Sequence, residues 1–301
     1  MSDPNPFELE RADVRDSFDR AGTRYEAAAQ VQARIADELL ARLTPFGFSP
    51  QVVLDLGAGT GRVSRRLKRL YRRARVLALD LSPGMLEQAA RHQTLLYRFA
   101  RVCADASRLP LGAQSVDLIF SNLMLQWCDP PDAAIAEARR VLKPNGFFAF
   151  STLGPDTLWE LRAAWGEDGR THVNRFLDVH DVGDALLRQG FSEPVLDVER
   201  ITVTYPDAFA LMRDLKAIGA HNVTAGRARS LTGKNRLRGM LARYEGFRRE
   251  GLLPATYEVI YGAAWAGRDR DAGTDAPSLS IGAAAGEITI PVTQVGRRRR
   301  S

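Results

Sequence analysis

The chain has 301 residues, 45% of them hydrophobic and 26% charged, which is the balance of an ordinary folded domain. No apolar run is long enough to cross a bilayer and no basic-then-apolar leader opens the chain, so a cytoplasmic protein is expected. Two cysteines, Cys103 and Cys128, exclude a disulfide framework and a Cys-rich zinc site and are expected as packing residues; Arg297 to Arg300 supply four of the net +6 charges, and neither nucleic acid nor membrane is expected as a partner.

Taken in chain order, Val14, Phe18, Ala21, Tyr25, Ala28, Ile35 and Leu39 recur at helical spacing with a break at Gly22, predicting two helices ahead of the first strand. An apolar strand follows at 52–56, carrying Asp55, and runs into Gly57, Gly59 and Gly61 before helical spacing resumes. Glycines there permit a tight turn and let backbone N–H groups approach a ligand, while a carboxylate at the strand end is oriented toward a cationic group. The third glycine stands one position too early for G-x-G-x-x-G, and the chain has no G-x-x-x-x-G-K-[ST], so neither a dinucleotide nor a nucleoside-triphosphate loop is supported. A glycine turn without a ligand is the alternative.

The next segment carries Arg62, Arg65, Arg66, Lys68, Arg69, Arg72, Arg73 and Arg75 opposite an apolar stripe, which reads as the solvated outer face of a helix, or else as a landing site for an acidic carrier protein. Strand candidates continue at 75–80, 101–103, 116–121 and 147–152, separated by helix-like or turn-rich segments. That alternation predicts a parallel sheet with helices on both faces, whose ligands bind beyond the carboxyl ends of the strands. Polar residues stand at those ends. Asp80 is placed to bind two ribose hydroxyls, Asp105 suits an exocyclic amine, and Ser121-Asn122 leads on to Gln126-Trp127.

Beyond residue 152, helical spacing returns at 155–165 and 178–189, and 195–205 and 257–261 read as strands. About fifty residues with helix-like segments around 207–219 and 235–249 lie between these two strands, implying an inserted cap rather than a loop. The resulting division is an N-terminal helical segment at 1–45, a core at 46–205 and 252–266, a helical cap at 206–251, and a linker with a basic tail at 267–301.

The D-x-G-x-G-x-G spacing from Asp55 to Gly61 resembles the first motif of Rossmann-like class I S-adenosylmethionine-dependent methyltransferases, whose sheet is mostly parallel with its last strand antiparallel. More of the chain, from Phe18-Asp19-Arg20-Ala21 through Asn174-Arg175-Phe176-Leu177 and 212–220 to Tyr257, resembles the malonyl-acyl-carrier-protein O-methyltransferases that begin the pimelate branch of biotin synthesis. The segments 156–162 and 254–257 also resemble a complex I assembly factor of the same fold that hydroxylates arginine, the alternative function. The resemblance implies that Asp55, Gly57, Gly59, Gly61, Asp80, Leu81, Asp105, Ala106 and Asn122 bind S-adenosylmethionine, with no metal involved. It implies malonyl-acyl-carrier protein, or malonyl-CoA, as the methyl acceptor. A malonyl carboxylate is already ionised near neutral pH, so the reaction needs alignment and exclusion of water rather than a general base. Arg175 and Lys216 are candidates for holding that carboxylate, and Tyr25 for a lid. Against these stand a structural ion pair, a solvated helix position and core packing respectively.

Overall fold

The computed structural model describes residues 9–21, 25–91, 93–166, 176–219, 233–267 and 288–291. Three helices come first: α1 (Arg11–Ala21), α2 (Tyr25–Ala28) and α3 (Gln30–Leu43). α3 turns Ala33, Ile35, Ala36, Leu39, Leu40 and Leu43 to the core, so the apolar stripe predicted across 14–39 is a packing face.

There follow β1 (Val52–Leu56), α4 (Arg62–Leu70), β2 (Arg75–Asp80), α5 (Pro83–Arg91), β3 (Ala100–Cys103), β4 (Val116–Asn122), α6 (Pro131–Val141) and β5 (Leu142–Leu153). Prolines open α5 and α6, where a helix has no use for the first N–H. β1, β2 and β4 are buried almost throughout, as inner strands of a parallel sheet covered on both faces must be. Their residues alternate between two cores. Val53, Val76, Ala78, Leu118, Phe120 and Phe147 pack with α3 and α4, while Leu54, Leu56, Leu79, Ile119, Phe148 and Phe150 pack with α6 and the later α8.

The second half supplies α7 (Trp159–Trp165), α8 (Val179–Arg188), β6 (Ser192–Tyr205), α9 (Ala208–Ala217), α10 (Lys234–Glu245), β7 (Leu253–Trp265) and β8 (Ile288–Pro291). Asp178 and Asp207 cap α8 and α9, each accepting a backbone N–H of the first turn. The strand order is β3-β2-β1-β4-β5-β7-β6-β8, with β7 antiparallel to both β5 and β6. This is the class I methyltransferase sheet that the sequence predicts. α9 and α10 lie between Tyr205 and Leu253, which face each other in register.

Three details differ from expectation. The turn at 142–146 belongs to β5 as an irregularity: the register jumps from Val116 opposite Leu142 to Leu118 opposite Phe147, with Asn145 at φ +59°. The stretch read as linker and tail contains β8, a parallel edge partner of β6. Cys103, read as a packing residue, is exposed.

Candidate functional site

Five parallel strands, β1 to β5, deliver their carboxyl ends to one edge of the sheet, and the glycine turn is built there. The N–H groups of Gly57 and Ala58 both donate to the Leu79 carbonyl at 2.8 and 2.9 Å, tying the turn to β2. Gly59 sits at φ +52° with open space where a side chain would stand, and its N–H donates to Asp80 Oδ2 at 2.7 Å. Gly61 is held by packing: at φ +74°, an added Cβ would meet Ala89 Cβ at 2.7 Å and the Phe99 ring at 3.0 Å. Gly61→Ala is therefore expected to lose about 2 kcal/mol from left-handed strain and overpacking against α5. Chemical denaturation measures this, and a variant as stable as the parent would show that α5 yields freely.

The acids at the strand ends are in unlike settings. Asp55 is 1% exposed, and the Ser64 hydroxyl of α4 donates to its Oδ2 at 2.5 Å. Burial pushes its carboxyl up to about 7, the Ser64 hydrogen bond opposing and the charge of Asp80 adding. Asp80 accepts from the N–H of Gly59 and, at 2.9 Å, of Ser82; burial raises its pKa while these two bonds lower it. Asp105 takes Ser107 N–H and hydroxyl on Oδ1 and pairs through Oδ2 with Arg11 of α1 at 2.7 Å.

A cavity of about 810 Å³ opens over this edge, a size that suits a drug-sized ligand. Gly57, Gly59, Asp80, Leu81, Asp105, Ala106 and Asn122 line it, as do Tyr25 and Lys216. Asp55 and Gly61 do not: both stand behind the turn, Asp55 bracing α4 through Ser64 and Gly61 admitting α5. Arg175 lies outside the described residues, as does the arginine tail. Tyr25 is half-buried and its phenol is pushed up by burial and by Asp80, while Lys216 is exposed on α9. Asn122 spends its amide on the protein, donating to the Gln32 carbonyl and accepting from Ser151. Trp127 packs edge-on against Phe18, their centroids 5.1 Å apart.

The N-terminal helices contribute polar contacts that sequence reasoning passed over. Asp19 accepts from Ser82 Oγ at 2.5 Å and from Gly84 N–H, Glu26 accepts from Thr60 Oγ1 at 2.8 Å, and Arg11 holds Asp105. Each of the three strand-end loops is thus tied to this segment, which roofs the cavity with Val14, Phe18 and Tyr25. Only their repeated occurrence near the apolar stripe signalled them, and charged positions beside such a stripe are ordinarily solvated. The basic face of α4 is remote from the cavity: α4 leads away from the turn to the amino end of β2, and Arg62 and Arg66 pair with Asp37. Among the described residues no group of three His, Cys, Asp or Glu side chains could hold a metal ion, and no helix is long and apolar enough to cross a membrane.

The family described as a methyltransferase domain matches residues 54–150, the span from β1 to β5. Malonyl-[acyl-carrier protein] O-methyltransferase from Methylovorus sp. strain MP688 is 53% identical over 265 residues, covering 85% of this chain and 89% of the relative. The protein of the same name from Halorhodospira halophila is 46% identical over 295 residues and covers 97% of each chain. Among solved structures, the YcgJ protein of Bacillus subtilis superposes with a TM-score of 0.56 at 14% identity, covering 77% of this chain and 98% of that one, a likeness of fold alone.

Proposed function

The chain belongs to the malonyl-[acyl-carrier protein] O-methyltransferase family, and from that premise we infer that it methylates the free carboxylate of a malonyl thioester, giving the ester that starts pimeloyl and biotin synthesis. The observation that carries this reading is one cavity with two unlike halves. Asp80 and Asp105 face it from the β1–β3 side beside Gly59, and Leu158, Leu161, Leu215 and Tyr257 wall the other side. A methyl donor rich in N–H and O–H groups fits the first half. Gln32 supports the fit: its Oε1 is buried at the cavity wall without a hydrogen-bond partner, an acceptor that a ligand donor would satisfy. S-adenosylmethionine supplies a methyl group on a sulfonium; the carboxylate oxygen forms the new C–O bond as the C–S bond breaks.

In this reading Asp80 binds the ribose hydroxyls, and Asp105, with Leu81 and Ala106, the adenine. Asp55 keeps the turn in shape from behind, and Gly57 and Gly59 leave room for close approach. Tyr25 closes over the donor from the roof. Lys216, at the cavity edge, and Arg175 draw the malonyl carboxylate inward, and the apolar wall strips water from it. Residues 206–251 act as the substrate cap. The arginine-hydroxylase alternative is not favoured, since relatives at 53% and 46% identity both carry the methyltransferase name.

A carrier protein is favoured over coenzyme A as the bearer of the malonyl group. The cap region 206–251 contains ten Lys and Arg against four Asp and Glu, while the other 32 of each sign in the chain cancel. A net positive segment of this kind steers an acidic macromolecule toward the cap. Incubation with methyl-labelled donor and malonyl-loaded carrier protein should give a base-labile methyl ester; no ester would refute the assignment. KM for the loaded carrier is expected to rise about tenfold between 0.05 and 0.5 M salt with kcat little changed. A salt-independent KM, or preferred use of malonyl-CoA, would remove the docking role from the cap.

A further inference from the structure

The methyl acceptor needs a partner at the reacting end, and the sheet order limits where that end lies. With sugar and base assigned to the ends of β2 and β3, the donor crosses the edge in the order β3-β2-β1, so its sulfonium reaches the boundary between β1 and β4. The segment after β4 stands directly over the glycine turn there, since a Cβ on Gly57 would meet Met124 Cγ at 2.5 Å. One turn of 3-10 helix follows, Leu125–Trp127, and carries Gln126.

Gln126 is 8% exposed and lines the cavity. The hydroxyl of Thr152, itself fully buried on β5, donates to its Oε1 at 3.3 Å, which turns the Nε2 end away from β5. That Nε2 donates to no described residue. The other polar groups in this half are committed or remote. Thr157 bonds both ways with the backbone of Glu258, Tyr257 is paired with Tyr205, Asn122 is used on Gln32 and Ser151, and Lys216 is exposed.

We propose that the amide N–H groups of Gln126 hold the malonyl carboxylate for attack, a deepening that rests on the methyl-transfer reading above. A buried neutral donor pair suits the chemistry. A cation in direct contact would stabilise the ground-state charge strongly, whereas an amide fixes one oxygen and leaves lone pairs on the other for the methyl group. Lys216 and Arg175 then attract the carboxylate, and Gln126 orients it.

The test compares Gln126→Glu, Gln126→Met and Thr152→Val with the parent enzyme on malonyl-carrier protein. Gln126→Glu keeps an acceptor for Thr152 but puts a negative charge where the substrate's carboxylate sits. Its kcat/KM is expected to fall at least about 100-fold, while S-adenosylmethionine, a cation, binds no more weakly and the dissociation constant of the neutral methyl-ester product stays within about twofold. Part of the loss should return as pH falls and the new carboxyl protonates to become a donor. Gln126→Met, uncharged and of similar size, should lose about tenfold or more through KM, and Thr152→Val a few-fold. Activity of Gln126→Glu within threefold of the parent overturns the proposal, as does equal loss of donor and ester binding, which marks a structural role. If Gln126→Glu does not fold, the KM of Gln126→Met decides. A parent enzyme that methylates no malonyl thioester refutes the functional reading and the proposal with it.

Discussion

Asp80→Ala is expected to cost the enzyme its methyl donor while leaving its fold intact. A carboxylate has about four lone-pair directions, and Asp80 uses two of them on the N–H groups of Gly59 and Ser82. The residue also lines the cavity. If its other lone pairs receive two ligand hydroxyls, deletion removes two hydrogen bonds to a charged acceptor, each worth about 1.5–3 kcal/mol, and loosens the turn that cradles the ligand. Affinity for S-adenosylmethionine should then fall about 100-fold or more, read by calorimetric titration. Thermal stability should change little, because removing a carboxylate whose burial is unfavourable offsets the lost turn bonds. Asp80→Asn keeps one accepting oxygen and should lose about tenfold. Binding by Asp80→Ala within threefold of the parent would take the ribose away from this residue.

The strands that position Asp80 were legible because their chemistry is extreme. β1, β2 and β4 are short apolar runs buried on both faces, bounded by turn residues, and their predicted limits match to within a residue. β7 was read only at 257–261, though it spans Leu253–Trp265; its ends include Ala255, Gly262, Ala263 and Ala264, small residues that carry no strand signal. Gly262 is small because an added Cβ would run into the Phe150 ring, a constraint set by a strand more than a hundred residues away.

The site divides in the same way. Polar residues at successive strand ends announce a ligand edge because parallel strands must bring their ends together, and Gly57, Gly59, Asp80, Leu81, Asp105, Ala106 and Asn122 do line one cavity. What each oxygen touches was not legible. Asp55 was read as facing a cation, yet its partner is a hydroxyl nine residues on, because α4 folds back over the strand end. Arg11, Asp19 and Glu26 were not among the expected site residues, because their partners lie on loops 34 to 94 residues distant. Gln32 carries no charge and no motif spacing, so the cavity alone picks it out, while Gln126 was read only as following the end of the fourth strand.

Asp55 governs the second large effect, which is on stability. Its carboxyl titrates near 7 in the fold against 3.8 as the ordinary value, because burial disfavours the charged form by more than Ser64 compensates. Between those values the native state holds a proton that the unfolded chain has lost, so stability falls as pH rises through this window and levels off above about 7. A shift of this size corresponds to about 4 kcal/mol lost across the window. Asp55→Asn removes the titration and keeps an acceptor for Ser64. Relative to the parent, its stability should therefore climb from pH 5 to pH 8 by an amount on the order of 2–3 kcal/mol, the part of the shift lying above pH 5. Taking the difference between variant and parent cancels the common slope from groups that do not interact with Asp55; Asp80, whose charge raises the Asp55 pKa, is the coupled neighbour that does not cancel. Denaturant unfolding at the two pH values gives the result directly. If the difference is flat, Asp55 is ionised throughout and a cation or ordered water reaches it from the donor side. The turn would then present that carboxylate to the ligand and not keep it behind the wall.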